Sequence, residues 1–288
     1  MSILLLFCSM LCSAIITVGS RLYRARTEGC EGASGLYNFL VPASATFGWL
    51  IVFLTEPSFD VRVLPYALGY GVGYSCFTLG MLGALKSGST SVTALVKQLA
   101  LVGVSFWGFF FWGTKVTLIS VIGIVLIVLS LALCLLKREE GQGYHLGRWA
   151  FYALLITVGN AGCSIIQRYQ QEAFNYQYKS AFMLFGVLFS AIVCLLLGLR
   201  GPRGGWGTAL RRGWYGPFLA GISSATANVC ILQLIRWQMS STVIYPGVAV
   251  GGLMITTLVS LIFFRERLSV TAWLGLAVGA VALVLLNL

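Results

Sequence analysis

The chain has 288 residues, of which 58% are apolar and only 9% charged, with a formal net charge of +11. Soluble domains carry roughly 25% charged residues, so a water-facing surface cannot be covered, and a secreted scaffold, a cytosolic enzyme and a nucleic-acid-binding module are excluded together. At about 20 apolar residues per crossing, ten crossings consume roughly 200 residues and leave only short connections.

Apolar segments fall at 3–20, 34–54, 64–84, 89–113, 117–136, 149–166, 179–199, 214–235, 241–264 and 269–288. The spacing predicts ten transmembrane helices and an all-α, polytopic membrane protein. The first segment reads as a retained span rather than a signal peptide, because no basic residue precedes it while Arg21, Arg24 and Arg26 follow. Lys and Arg number 13 in the odd-numbered loops and 5 in the even-numbered ones, the nineteenth, Lys97, lying inside the fourth span. The positive-inside rule then puts both termini outside. This scatter in short loops is a topology signal, and nucleic acid is not an expected partner.

The longest connection, residues 137–148, is rich in Gly and charge and divides the chain into halves, 1–136 and 149–288. Each half holds five spans, and five is odd, so the second half enters the membrane in the opposite sense: two inverted five-helix repeats. At an offset of 152, Ser89-Thr90 meets Ser241-Thr242, Lys115 meets Arg267 and Gly123 meets Gly275. Seven of the eight cysteines lie in apolar runs, where Cys behaves as a small hydrophobe, and only Cys30 falls in a polar loop. His145 is solitary, so no metal site and no cofactor is expected.

Residues Ser240–Leu288 resemble the closing helix pair of the drug/metabolite transporter superfamily, with the Arg265-Glu266-Arg267-Leu268-Ser269 turn followed by Gly275 and Gly279. The same turn and glycine-bearing helix recur in the ten-span EamA-type transporters and in the small multidrug resistance exporters. The first-half counterpart, Gly113-Thr114-Lys115-Val116-Thr117, lacks the acidic residue. The resemblance implies a ten-helix carrier of small organic solutes working by alternating access. It leaves the substrate class open and implies cytoplasmic termini, opposite to the charge count. The first helix resembles the small exporters over Gly19-Ser20-Arg21-Leu22-Tyr23-Arg24, but their proton-coupling glutamate corresponds to about Ile16 here.

All eight acids lie in loops or at helix ends, whereas Lys97 is nine residues into its span, roughly 13 Å from its start and beyond comfortable snorkelling. Ionisable groups at such depth are functional candidates. Either Lys97 attracts an anionic group of the substrate, or it is a structural lysine held by carbonyls and water. Gln98 adjoins it, and the aligned ninth span carries Tyr245 before Pro246-Gly247, read as a helix break or packing kink. By resemblance, Tyr245 corresponds to a substrate-contacting tyrosine. Tyr70, Tyr74, Trp107, Asn160, Asn228 and Gln233 are further candidates or ordinary interhelical partners.

The chain is thus expected to be no enzyme but a multi-pass inner- or plasma-membrane transporter, monomeric or homodimeric. Its partners are the lipid bilayer and a small anionic or zwitterionic metabolite, amino-acid-like or phosphate-bearing. The substrate site comprises Lys97, Gln98, Tyr245, Tyr74, Asn228, Asn160 and Trp107. A quaternary-amine carrier using cation–π contacts and a lipid-linked-substrate flippase are the alternatives.

Overall fold

The computed structural model describes residues 2–87, 96–97, 100, 103–104, 107–113, 117–135, 146–263 and 270–286. Long helices form because a backbone in hydrocarbon has no water to bond and must satisfy every N–H and C=O within its own segment. They are α1 (Ser2–Arg26), α2 (Ala33–Thr55), α3 (Leu64–Ser87), α4 (Leu118–Leu135), α5 (Leu146–Ala173) and α6 (Lys179–Leu199) in the chain up to the connection 200–205. Beyond it come the eight-residue α7 (Trp206–Gly213), then α8 (Tyr215–Arg236), α9 (Ser241–Phe263) and α10 (Val270–Leu286). No strand occurs among the described residues.

Six of these helices, α1, α2, α5, α6, α8 and α9, are long and apolar enough to cross a membrane. Nine of the ten predicted spans are therefore long helices among the described residues. Of the fourth, residues 96–97, 100, 103–104 and 107–113 are described, and all but the last two are helical.

Three features differ from the sequence expectation. First, α5 runs to Ala173 rather than stopping at 166, so Arg168 lies on a helix and not in a loop; its polar side chains find protein partners there. Second, α9 passes through Pro246 without a break. Pro246 is the sixth residue of the helix, where its missing N–H costs one bond to the Thr242 carbonyl, and the turn before it is secured by Thr242 N–H donating to Ser240 Oγ at 3.3 Å. Third, Trp206–Gly213, expected as loop, is a helix.

The helices pair closely as α3 with α5, α1 with α8, α2 with α6, and α4 with α10, and next as α3 with α6, α2 with α8, and α1 with α9. Matching helices by their place in each half (first span α1 with sixth span α5, then α2 with α6, α3 with α8) turns α3–α5 into α8–α1 and α3–α6 into α8–α2, while α2–α6 maps onto itself. Both members of the first exchanged pair use glycine contacts. A Cβ on Gly19 would lie 2.9 Å from the Gly216 carbonyl oxygen, and one on Gly159 2.5 Å from that of Gly73. Such seams let backbones touch, which is how helices associate where lipid is as apolar as the side chains. Ser130 on α4 donates to the Gly275 carbonyl on α10 at 2.6 Å, tying the last pair.

Candidate functional site

Asn160, Ser164, Gln167, Arg168 and Gln171 follow one another at i, i+4, i+7, i+8 and i+11, which places them along one face of α5. The face reaches four other parts of the bundle. Asn160 Nδ2 donates to the Lys97 carbonyl oxygen at 3.0 Å. The Tyr245 hydroxyl donates to the Ser164 carbonyl oxygen at 3.2 Å. Gln167 Nε2 donates to Asn228 Oδ1 at 3.1 Å, and Asn228 Nδ2 in turn donates to the Ser224 carbonyl at 2.8 Å. Ser224 Oγ lies 3.2 Å from the Tyr74 hydroxyl, so a continuous polar chain runs α5–α8–α3.

This chain is deeply enclosed: Gln167 is 2% exposed, Tyr245 1% and Tyr74 8%. Buried polar groups are tolerated only when paired, and these are paired with one another. One exception is Gln171, fully buried, whose Nε2 donates to Gln170 Oε1 while its own Oε1 has no partner among the described residues.

At the end of the polar face stands a charged knot. Arg168 Nε donates to Glu172 Oε1 at 2.8 Å, its Nη1 donates to Ser241 Oγ on α9, and its guanidinium lies 4.5 Å from the centre of the Trp112 ring. Arg168 thereby ties the end of α5 to the start of α9 and to the end of the fourth span. Nearby, Trp107 Nε1 donates to the Tyr169 hydroxyl at 3.4 Å, with its ring stacked on Phe111 at 4.1 Å.

Of the expected site residues, Lys97, Asn160, Tyr245, Asn228 and Tyr74 are joined through α5, whereas Trp107 is 36% exposed on the flank. Tyr70 is buried against Tyr74, centroids 6.0 Å apart, and edge-on to Phe182. Lys97 is half-buried and takes part in no ion pair among the described residues. Gln98, His145 and both family turns, residues 114–116 and 264–269, lie outside the described residues. No group of metal-ligating side chains occurs among the described residues. Sequence reasoning passed over Ser164, Gln167, Arg168 and Ser224; the helical spacing of the α5 polar residues was the available signal.

Two surface clefts lie at the bundle ends and involve none of these residues. One, about 520 Å³, is lined by Arg62, Tyr66, Phe174 and Tyr178 among others. Beside it Asp60 receives Arg62 N–H at 2.9 Å and Arg62 Nη2 at 2.7 Å; these hydrogen bonds hold the Asp60 carboxyl below its usual value. The other, about 380 Å³, lies between the α1–α2 turn and the start of α7.

Residues 1–136 match the EamA-like transporter family. Twenty-nine chains of solved structures match; one crystal structure superposes with a TM-score of 0.72 over 99% of this chain and 96% of its own, at 14% identity, a likeness of fold alone. No curated protein matches the sequence. With long apolar helices along its length and residues 1–136 similar to EamA-like transporters, the protein is a multi-pass helical membrane protein.

Proposed function

We propose that the protein is a secondary transporter that moves a small anionic or zwitterionic metabolite, amino-acid-like or phosphate-bearing, across the plasma membrane by alternating access. The observation that carries this reading is Lys97. It is half-buried in a span, free of any ion pair among the described residues, and its backbone is bonded to Asn160 at the head of the α5 polar face. An ammonium in that position is stabilised by a negative group entering beside it. Asn160, Asn228, Tyr74 and Tyr245 then supply neutral donors and acceptors around the charged pair, with Gln98 and Trp107 as further contacts.

The two halves act as inverted repeats about this site, a reading supported by the way helix pairings exchange between them. Alternating access follows from such repeats when one half rocks against the other around a fixed site. A quaternary-amine carrier would need aromatic faces turned toward one point. Against it, the Tyr74 ring is stacked on Tyr70 and the Trp107 ring on Phe111.

The test is uptake into proteoliposomes of radiolabelled amino acids and sugar phosphates, preceded by a thermal-shift screen that includes choline-like cations and lipid-linked sugars. An anionic or zwitterionic hit is expected, with Lys97→Ala abolishing its uptake while the protein remains folded. Retained uptake with unchanged affinity in Lys97→Ala removes Lys97 from the mechanism, and stabilisation by cations alone or by lipid-linked sugars alone overturns the substrate class.

A further inference from the structure

The two ends of the bundle treat their charges differently. All three ion pairs among the described residues, Arg62–Asp60, Arg168–Glu172 and Lys179–Glu56, lie at one end. At the other, the α1–α2 turn packs directly against the segment leading into α7: Gly32 abuts the Pro202 carbonyl and the Trp206 indole, and a Cβ on Gly35 would lie 3.4 Å from Gly198 Cα. This brings together Arg24, Arg26, Arg200, Arg203, Arg211 and Arg212, all exposed, against only Glu28 and Glu31. None of the six forms an ion pair among the described residues.

The height of this face relative to the lipid follows from α7. Leu210, 43% exposed, Trp214, 54%, and Phe218, 39%, step at i, i+4 and i+8 across the α7–α8 junction, with the Trp214 and Phe218 rings 6.0 Å apart. This apolar ridge continues down α8, a membrane-crossing helix, so its upper end marks the edge of the hydrocarbon. Trp206, four residues before Leu210, is turned inward against Gly35 and Gly198. Arg211 and Arg212 follow Leu210 at about 100° and 200° around the helix, pointing away from the ridge at headgroup level. A short helix with an aromatic-aliphatic face and a basic face is the geometry of interfacial binding, and basic residues grouped just beyond a membrane-crossing helix attract anionic lipid.

We propose that the arginine face built by the α1–α2 turn, the loop 200–205 and α7 is a docking surface for anionic phospholipid headgroups. The acyl chains of the lipid lie along the Leu210–Trp214–Phe218 ridge while the phosphate sits among Arg203, Arg211 and Arg212. The assignment is independent of the transport reading.

The experiment titrates the full-length protein in neutral detergent with short-chain phosphatidylglycerol or phosphatidylcholine and counts bound lipid by native mass spectrometry. Phosphatidylglycerol is expected to bind at least about tenfold more tightly. The combined Arg203→Gln, Arg211→Gln, Arg212→Gln variant is expected to reduce that preference to less than about twofold, and Arg62→Gln at the opposite end to leave it intact. If the triple variant does not fold, the wild type is titrated at 0.1 and 1 M salt, where screening shortens from about 10 to 3 Å and the preference is expected to collapse. Equal binding of the two lipids, a preference that survives the triple variant or 1 M salt, or full competition by inorganic phosphate overturns the proposal.

Discussion

The α3–α5 seam offers a sharp perturbation, Gly159→Ala. A Cβ on Gly159 would sit 2.5 Å from the Gly73 carbonyl oxygen and 2.6 Å from the Phe77 nitrogen, about 1 Å short of ordinary van der Waals separation. Both atoms are backbone, so neither can swing aside, and the two helices must part along one of the closest pairings in the bundle. Overpacking of this kind costs about 1–3 kcal/mol or more, offset by the roughly 0.8–1 kcal/mol that alanine gains over glycine in a helix. A net loss of up to about 2 kcal/mol lowers the melting temperature by up to about 8 °C at 2–4 °C per kcal/mol. Gly162, three residues along the same helix, has no described heavy atom within 4 Å of a Cβ, so Gly162→Ala keeps the propensity gain without the collision. Thermal unfolding of both variants in the same detergent is the assay. A Gly159→Ala protein that melts at or above Gly162→Ala would refute the claim that backbone contact sets this seam.

Arg168→Ala removes a charged hydrogen bond to Glu172, another to Ser241 and the stacking on Trp112; a destabilisation of about 1–3 kcal/mol is expected, with Arg168→Lys recovering little because an ammonium cannot hold a fork and a flat stack together. Equal melting temperatures for wild type and Arg168→Ala would show that the knot is idle. The Asp60 carboxyl, lowered by the Arg62 hydrogen bonds, has a folded value below its unfolded 3.8, so its contribution is present above about pH 4 and is lost as pH falls through the lowered value. Asp60→Asn should melt below wild type at pH 6 and draw level with it as pH falls through the lowered value, read by thermal unfolding between pH 3 and 6; a difference that stays constant or grows toward pH 3 would contradict the assignment.

Much of the bundle was legible in the sequence because a lipid solvent demands uninterrupted apolar helices, and runs such as 34–54 and 179–199 coincide with α2 and α6 to within a residue or two. The departures share a cause: local polarity was read as loop. Gln167-Arg168-Tyr169-Gln170-Gln171-Glu172 contains no aliphatic side chain, yet it remains helical because Gln167 and Arg168 bond neighbouring helices and Tyr169 accepts the Trp107 indole. Tertiary contacts override composition there. Pro246 looked like a breaker, but so near the start of α9 it deprives only one carbonyl of its donor. The Lys97–Asn160 link and the Tyr74–Ser224–Asn228–Gln167 chain follow from which helix lies beside which, a fact carried by spatial order and not by the spacing of residues along one span. Individual site residues could therefore be nominated from the chain, and Gln167 was marked by its helical spacing from Asn160 and Ser164, whereas Ser224 carried no such signal.

The toothed side of α5 has a mechanical corollary. The teeth mesh with three neighbours: the fourth span at Lys97, α8 at Asn228, and α9 at both Tyr245 and Ser241. Turning the rod by a single residue, about 100°, would disengage all of them at once and strand buried amides among hydrocarbon. Leaning or sliding lengthwise by a fraction of a turn strains each mesh only slightly. α5 is keyed like a splined shaft, free to tip with the helices it engages and barred from spinning between them.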